Sequence, residues 1–258
     1  MQNTLFFRTF GTGTPLIILH GLFGSSDNWL TIAKQLAANY TLYLLDQRNH
    51  GQSFWANEWD YEHMSQDLYH FVKEQNLHNF FLLGHSMGGK TAMQFATQFA
   101  DKVRKLIVVD IAPRYYPVHH NTIIQGLQSL DLSQITTRQE ADAQLASFIP
   151  ASDVRQFLLK NLYRNAQNQF VWRINLEVIA QKIDNIGKAL APEAQFNKPT
   201  LFIRGEKSDY IRAQDEAQIY QHFPQAQIKT IFNAGHWVHA DQPQTFIEML
   251  TSFLEKDN

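Results

Sequence analysis

The stretch NFFLLGHSMGGKTAMQFA, residues 79–96, decides the fold class of this chain. An apolar run ends at Gly84, the pattern G-H-S-M-G surrounds Ser86, and apolar residues then recur at helical spacing. A strand, a tight turn and a helix in this order are typical of a nucleophile elbow, whose serine has strained backbone geometry and needs small neighbours. A glycine-rich turn with a surface serine is the alternative interpretation. The flanking strand and helix favour the elbow, with Ser86 as the nucleophile.

Short apolar runs like the one before Ser86 recur along the chain. They lack polar alternation, which predicts strands covered on both faces, as in a parallel sheet. The runs are PLIIL (15–19), TLYLLD (41–46), FFLLG (80–84), KLIVVD (105–110), TLFIRG (200–205) and IKTIF (228–232). An additional edge strand is expected within TLFFRTFG (4–11), and helical patterns fill most of the gaps. The sequence therefore predicts an α/β fold, with a mostly parallel central sheet flanked by helices.

One gap between predicted strands, from residue 110 to residue 200, is far longer than a crossover helix needs. Four segments within it have helical patterns: NTIIQGLQSL, RQEADAQLASF, DVRQFLLKNLY and INLEVIAQKI. We expect a helical cap inserted over the carboxyl edge of the sheet. The predicted division is a core of residues 1–112 and 199–258, with the cap at residues 113–198.

The composition restricts the partners of the chain. Lys and Arg total 22 against 24 Asp and Glu, so no basic surface for nucleic acid or anionic membrane is expected. The chain has no cysteine, which excludes disulfides and thiol nucleophiles. The amino-terminal stretch lacks the pattern of a signal peptide, and no apolar run is long enough to cross a bilayer. A cytoplasmic location is the expectation.

A serine nucleophile needs a base, and His236 is the leading candidate among 11 histidines. It lies in IFNAGHWVHAD (231–241), directly after the last predicted strand, at the sheet edge that also carries the elbow. His239 is the main alternative, although it would enter the following helix.

Two carboxylates compete for the role of the acid that orients the histidine. Asp209 follows the strand before His236, which gives the chain order Ser, Asp, His and slightly favours it. Asp110 ends the strand after the nucleophile and could also reach the imidazole. The residues leave both candidates open.

An oxyanion hole needs two backbone N–H groups near Ser86. Met87, at the start of the following helix, is expected to supply one of them. Leu22, or otherwise Phe23, is expected to supply the other from HGLFGSS (20–26), after the strand PLIIL. No metal or organic cofactor is expected, because the histidines show no metal-ligand spacing.

Five stretches together resemble the α/β-hydrolase superfamily over nearly the whole chain, and are most similar to bacterial YbfF-type esterases. They are HGLFGSSDNW (20–29), DQRNHGQS (46–53), GHSMGGK (84–90), VVDIAP (108–113) and AGHWVHADQP (234–243). The resemblance implies an α/β-hydrolase fold with a helical cap, Ser86 as nucleophile and His236 as base. It also favours Asp110, since such enzymes can place the acid after that earlier strand. The form GEKSD (205–209), where GGNS is expected, is instead familiar from hydrolases that use the later acid, Asp209.

The hypothesis from sequence is a serine esterase or thioesterase that acts on a small-molecule ester through an acyl-enzyme. Aromatic and cationic residues of the predicted cap suit either short-chain esters or an acyl-CoA thioester. Two alternatives come from other classes: a carbon–carbon bond hydrolase or lyase on the same fold, and a non-catalytic ligand-binding module.

Overall fold

The central sheet contains seven strands in the part of the chain described by the computed structural model, residues 4–117 and 119–256. Their bounds are β1 (Phe7–Phe10), β2 (Thr14–Leu19), β3 (Tyr40–Leu45), β4 (Phe80–His85), β5 (Val103–Val109), β8 (Thr200–Gly205) and β9 (Ala226–Ile231). A separate hairpin pairs β6 (Leu162–Arg164) with β7 (Phe170–Trp172). The strands predicted from the apolar runs are confirmed, with ends that differ by one or two residues except at β1, which begins three residues later.

The strand order of the sheet is β1-β3-β2-β4-β5-β8-β9. β1 pairs antiparallel with β3, and all other neighbours are parallel. β4 and β5 lie in the middle and are buried almost throughout, as expected for strands with both faces covered. The carboxyl ends of β4, β5, β8 and β9 therefore meet at one edge, which is where the functional candidates lie.

Helices cover both faces of the sheet, as the apolar periodicity predicts. The helices are α1 (Leu30–Leu36), α2 (Tyr61–Glu74), α3 (Met87–Gln98), α4 (Asn121–Ser129), α5 (Arg138–Leu145), α6 (Ser152–Leu159), α7 (Leu176–Lys182), α8 (Glu216–His222), α9 (Val238–Asp241) and α10 (Pro243–Glu255). Apolar residues of α2, α3 and α8 pack in one core cluster, and those of α1 and α10 pack in a second one on the other face. None of the helices in the described residues combines the length and the apolar character needed to span a bilayer.

The long segment between β5 and β8 contains α4 to α7 and the hairpin. Its apolar residues form a third cluster that also includes Phe23, Trp59 and Met87 from outside the segment. The helix expected over DVRQFLLKNLY ends at Leu159. The last two residues of that stretch, Leu162 and Tyr163, belong to β6 instead. The side-chain amide of Asn161 donates to the carbonyl oxygens of Leu158 and Phe23, which ends the helix and ties it to the turn after β2.

Candidate active site

Ser86 lies on a sharp turn between β4 and α3. Its φ of 55° and ψ of −119° lie in a region that L-residues rarely adopt. Its N–H donates to the carbonyl oxygen of Val109 over 3.0 Å, which continues the pairing of β4 with β5 up to the turn. A strained serine held by an intact strand on one side and a helix on the other matches the elbow predicted from G-H-S-M-G.

The glycines on either side of Ser86 are required by close backbone contacts. A Cβ on Gly84 would lie 2.1 Å from the carbonyl oxygen of Gly88. A Cβ on Gly88 would lie 2.5 Å from the carbonyl oxygens of both Leu19 and His20. The start of α3 therefore packs directly against β4 and against the end of β2, which no larger residue at these positions would permit.

Two backbone N–H groups near Ser86 are candidates for an oxyanion hole. Met87 is the first residue of α3, so its N–H has no acceptor within the helix. The turn after β2 reaches Ser86, because a Cβ on Gly21 would lie 3.2 Å from the Ser86 Cβ. The Phe23 N–H donates to His50 Nε2 over 3.2 Å, so Leu22 is the better candidate of the two residues in this turn.

His236 follows β9 at the edge of the sheet that carries Ser86. Its Nδ1 lies 2.7 Å from Oδ2 of Asp110, a fully buried residue directly after β5. The Asp110 carboxylate also accepts the Gly205 N–H over 3.2 Å and the Ser208 hydroxyl. The buried carboxylate thus has three donors, with the imidazole as one of them.

The structure does not bring Asp209 to the imidazole. The Asp209 side chain is 90% exposed, and its carboxylate lies 3.7 Å from the guanidinium of Arg212. The preceding residue, Ser208, turns inward to Asp110, so Asp209 faces solvent. The preference for Asp209 from chain order is therefore not supported by the geometry, which pairs Asp110 with His236.

His239, the alternative base, lies in a different environment. It is buried and stacks on Trp29 with ring centres 4.0 Å apart and an interplanar angle of 12°. Burial lowers the pKa of His239 to about 3, with a contribution from His236. This position in the core, against Trp29 rather than against a carboxylate, is that of a packing residue.

A cavity of about 420 Å³, including its open mouth, adjoins Ser86. Most of its wall is apolar and includes Leu22, Tyr61, Met87, Ile111, Ile183 and Ile186. Polar lining residues besides Ser86 include His119, His120 and Tyr210. Both candidate oxyanion residues thus face the same space as the serine. Among the described residues, no group of three or more His, Asp or Glu side chains is placed to hold a metal ion.

Comparison with known proteins assigns the family. The model of a family described as the alpha/beta hydrolase fold matches residues 14–243. The chain belongs to the α/β-hydrolase fold family. The predicted fold class is thereby confirmed.

Individual relatives are similar over nearly the full length of this member of the α/β-hydrolase fold family. The chain is 40% identical to the sn-1-specific diacylglycerol lipase ABHD11 of Mus musculus over 247 residues, covering 93% of this chain and 80% of that protein. It is 34% identical to Esterase YbfF of Escherichia coli (strain K12) over 243 residues, covering 93% of both. A solved structure entitled "Marine microorganism esterase" is 46% identical, has a TM-score of 0.95 and covers 98% of this chain and 100% of that one. The resemblance to YbfF-type esterases is therefore confirmed.

Two residues of the loop after β8 contact the candidate triad and were not predicted from the sequence. Ser208 donates to Asp110, as described above. The Tyr210 ring stacks on the His236 imidazole with centres 3.9 Å apart, and its hydroxyl is 2.8 Å from His119 Nε2. The segment GEKSDY (205–210) contains both residues, but no periodicity or spacing marks them, because their contacts arise only when β8 lies beside β5.

The close contacts of Gly88 lead to a stability prediction. Replacing Gly88 with Ala would press a methyl group against two main-chain carbonyls that cannot move away, so we expect a loss of about 1–3 kcal/mol of unfolding free energy. Urea denaturation measures this loss. The control is Gly126→Ala in α4, where the nearest atoms belong to the side chain of Phe148. Equal stability of Gly88→Ala and wild type would contradict the packing described for the elbow.

Proposed function

We propose that this serine ester hydrolase works through an acyl-enzyme formed on Ser86, with His236 as general base and Asp110 as the orienting acid. The observation that carries the proposal is the 2.7 Å contact between His236 Nδ1 and the Asp110 carboxylate. This contact lies at the same sheet edge as Ser86, whose φ is 55°. The esterase and lipase names of the relatives support ester hydrolysis as the reaction.

The first half of the reaction follows from the roles of these three residues. Because Nδ1–H of His236 donates to Asp110, the other ring nitrogen, Nε2, is the one free to accept the hydroxyl proton of Ser86. The serine oxygen then attacks the ester carbonyl carbon, and the carbonyl oxygen becomes an oxyanion. We assign its stabilisation to the N–H groups of Leu22 and Met87. Collapse breaks the bond to the alcohol oxygen, which takes the proton back from His236.

The second half repeats this sequence with water. His236 removes a proton from water, and the resulting hydroxide attacks the acyl carbon. The bond to the Ser86 oxygen breaks, the serine regains the proton from His236, and the carboxylic acid leaves. Asp110 stabilises the imidazolium that forms in each half.

We further propose that residues 113–198 form a cap over the core made of residues 1–112 and 199–258. The segment supplies Pro117, His120 and Ile186 to the wall of the cavity beside Ser86. A substrate would therefore lie between cap and core. The largely apolar wall fits the acyl chain of an ester better than a charged group.

We favour neutral esters over acyl-CoA thioesters as substrates, because three arginines of the cap already have partners. Arg114 pairs with Asp215, and Arg155 pairs with Asp142. Arg164 donates to the carbonyl oxygens of Thr136 and Asn168. Binding an anionic end group at these three arginines would require these contacts to break. The substrate class that we propose is thus a small neutral carboxylic ester.

We also propose a cytoplasmic location, which suits a chain without cysteine.

Replacing Ser86 with Ala tests the covalent route. The variant should remain folded, because Ala removes one hydroxyl group, but its turnover of p-nitrophenyl butyrate should fall by about 10⁶. Release of p-nitrophenol, followed together with the thermal unfolding midpoint, measures both. Turnover within about tenfold of wild type would contradict an acyl-enzyme on Ser86.

The variants Asp110→Asn and Asp209→Asn, measured side by side, test the acid. Asp110→Asn should lower kcat by about 10⁴, because an amide cannot hold the imidazole in the productive tautomer or stabilise its charge. Asp209→Asn serves as the matched control and should stay within about twofold of wild type, since its carboxylate faces solvent. The reverse order of the two losses would refute the role of Asp110.

A further inference from the structure

Lys90 is a buried cation close to the candidate nucleophile, and none of the steps proposed above uses it. It lies one turn along α3 from Ser86, and its backbone N–H donates to the Ser86 carbonyl oxygen over 3.1 Å. The residue is 3% exposed. Its position is thus fixed by the same helix that carries the serine.

The Lys90 ammonium group donates to three main-chain carbonyl oxygens. They belong to Pro113 at 3.1 Å, Arg114 at 2.5 Å and Lys188 at 2.9 Å. An ammonium has three N–H donors on one atom, so each donor has one acceptor here. No other side chain offers three donors from a single atom, which explains why this position needs lysine.

The three carbonyls come from the two ends of the inserted segment. Pro113 and Arg114 lie where the chain leaves the core after β5, and Lys188 lies where it returns towards β8. We call residues 113–117 and 186–190 the roots of the cap. The roots also bond to each other, because Leu190 N–H donates to the Pro113 oxygen over 2.8 Å. One side-chain atom of α3 therefore holds both roots.

The roots form part of the cavity wall next to Ser86. Tyr116 and Pro117 from one root, and Ile186 and Gly187 from the other, line the cavity. They lie in contact, since the Tyr116 N–H donates to the Gly187 oxygen over 2.8 Å and a Cβ on Gly187 would lie 2.2 Å from the Tyr116 oxygen. A shift of the roots relative to α3 would therefore change the distance between this wall and the serine.

The charge of Lys90 is costly for folding. Burial lowers the pKa of Lys90 to about 7, with a further contribution from the Arg114 guanidinium. Arg114 itself pairs with Asp215 at 3.0 Å, and the Tyr116 ring lies 5.2 Å from the ammonium. None of the contacts of the ammonium in the described residues is with a carboxylate. An apolar side chain of the same length would fill the space without this cost, so the three carbonyl contacts are what the lysine adds.

We propose that Lys90 is a positioning residue that fixes both roots of the cap against the nucleophile helix and so sets the width of the substrate cavity beside Ser86. The proposal rests on the proposed function, because it assigns acyl-chain selection to the wall that Lys90 holds. Lys90 itself does not touch the reacting atoms. Its effect should appear in which ester is preferred and in KM.

The chain contains a matched control in Lys105, which lies in β5 and is also 3% exposed. Its ammonium donates to the carbonyl oxygens of Phe253, Leu254 and Lys256, at 2.9, 3.2 and 2.5 Å. These carbonyls lie at the end of α10, where a cation satisfies groups that the helix leaves without partners. Lys105 therefore has similar carbonyl contacts but lies outside the cavity wall.

The test compares Lys90→Met with Lys105→Met in the full chain. Kinetics with p-nitrophenyl butyrate and p-nitrophenyl octanoate give the ratio of the two kcat/KM values, and urea denaturation gives the stability. Both variants should have lower urea midpoints, because methionine removes the donors to three main-chain carbonyl oxygens, and this loss outweighs the relief of burying a charge. Lys90→Met should raise KM for butyrate by about fivefold and change the ratio by about tenfold, while Lys105→Met keeps the ratio of wild type. If Lys90→Met does not fold, Lys90→Gln, which keeps two N–H donors, is measured by the same ratio.

The outcomes separate this proposal from the proposed function. An unchanged ratio in the Lys90 variant, or an equal change in Lys105→Met, would overturn the positioning role and leave the hydrolase proposal intact. Absence of ester turnover by the wild-type chain would overturn both. A changed ratio in the Lys90 variant alone supports the role.

Discussion

The contact of α3 with the end of β2 is the constraint on which the site depends. Gly88 allows the helix to approach the carbonyl oxygens of Leu19 and His20 closely, and this approach leaves Ser86 on a turn with φ of 55°. Leu22 and Met87 line the same cavity as the serine. If the helix began farther from β2, the hydroxyl and the two candidate oxyanion donors would no longer face one cavity.

Buried histidines around this contact act as neutral hydrogen-bonding groups. His20 Nε2 accepts the Gln47 N–H over 3.0 Å, and His50 Nε2 accepts the Phe23 N–H over 3.2 Å. Burial lowers the pKa of His20 to about 4 and that of His50 to about 3. As the pH falls below about 6.5, both histidines take up protons in the unfolded chain while they stay neutral in the folded chain. The free energy of unfolding therefore decreases between about pH 6.5 and pH 4. The turn that carries Leu22 is thus held by groups that lose their function as acceptors in acid.

Much of the fold could be predicted from the sequence, because buried parallel strands and amphipathic helices leave local patterns. The turn at Ser86 could be predicted for the same reason, because its glycines are neighbours of Ser86 in the chain. The sequence leaves the acid open, because chain order does not encode which carboxylate the imidazole meets. Ser208 and the Gly205 N–H reach Asp110 only after β8 pairs with β5. The three-residue strands β6 and β7 are likewise too short to leave a pattern.

The central claim is that Ser86 is a nucleophile activated by His236. Its most direct measurement is the reaction of the folded chain with a fluorophosphonate probe, followed by mass spectrometry of the intact protein and of its peptides. The account predicts one adduct per chain, on the peptide that contains Ser86. A folded chain that stays unlabelled, or one that is labelled on a different residue, would contradict it.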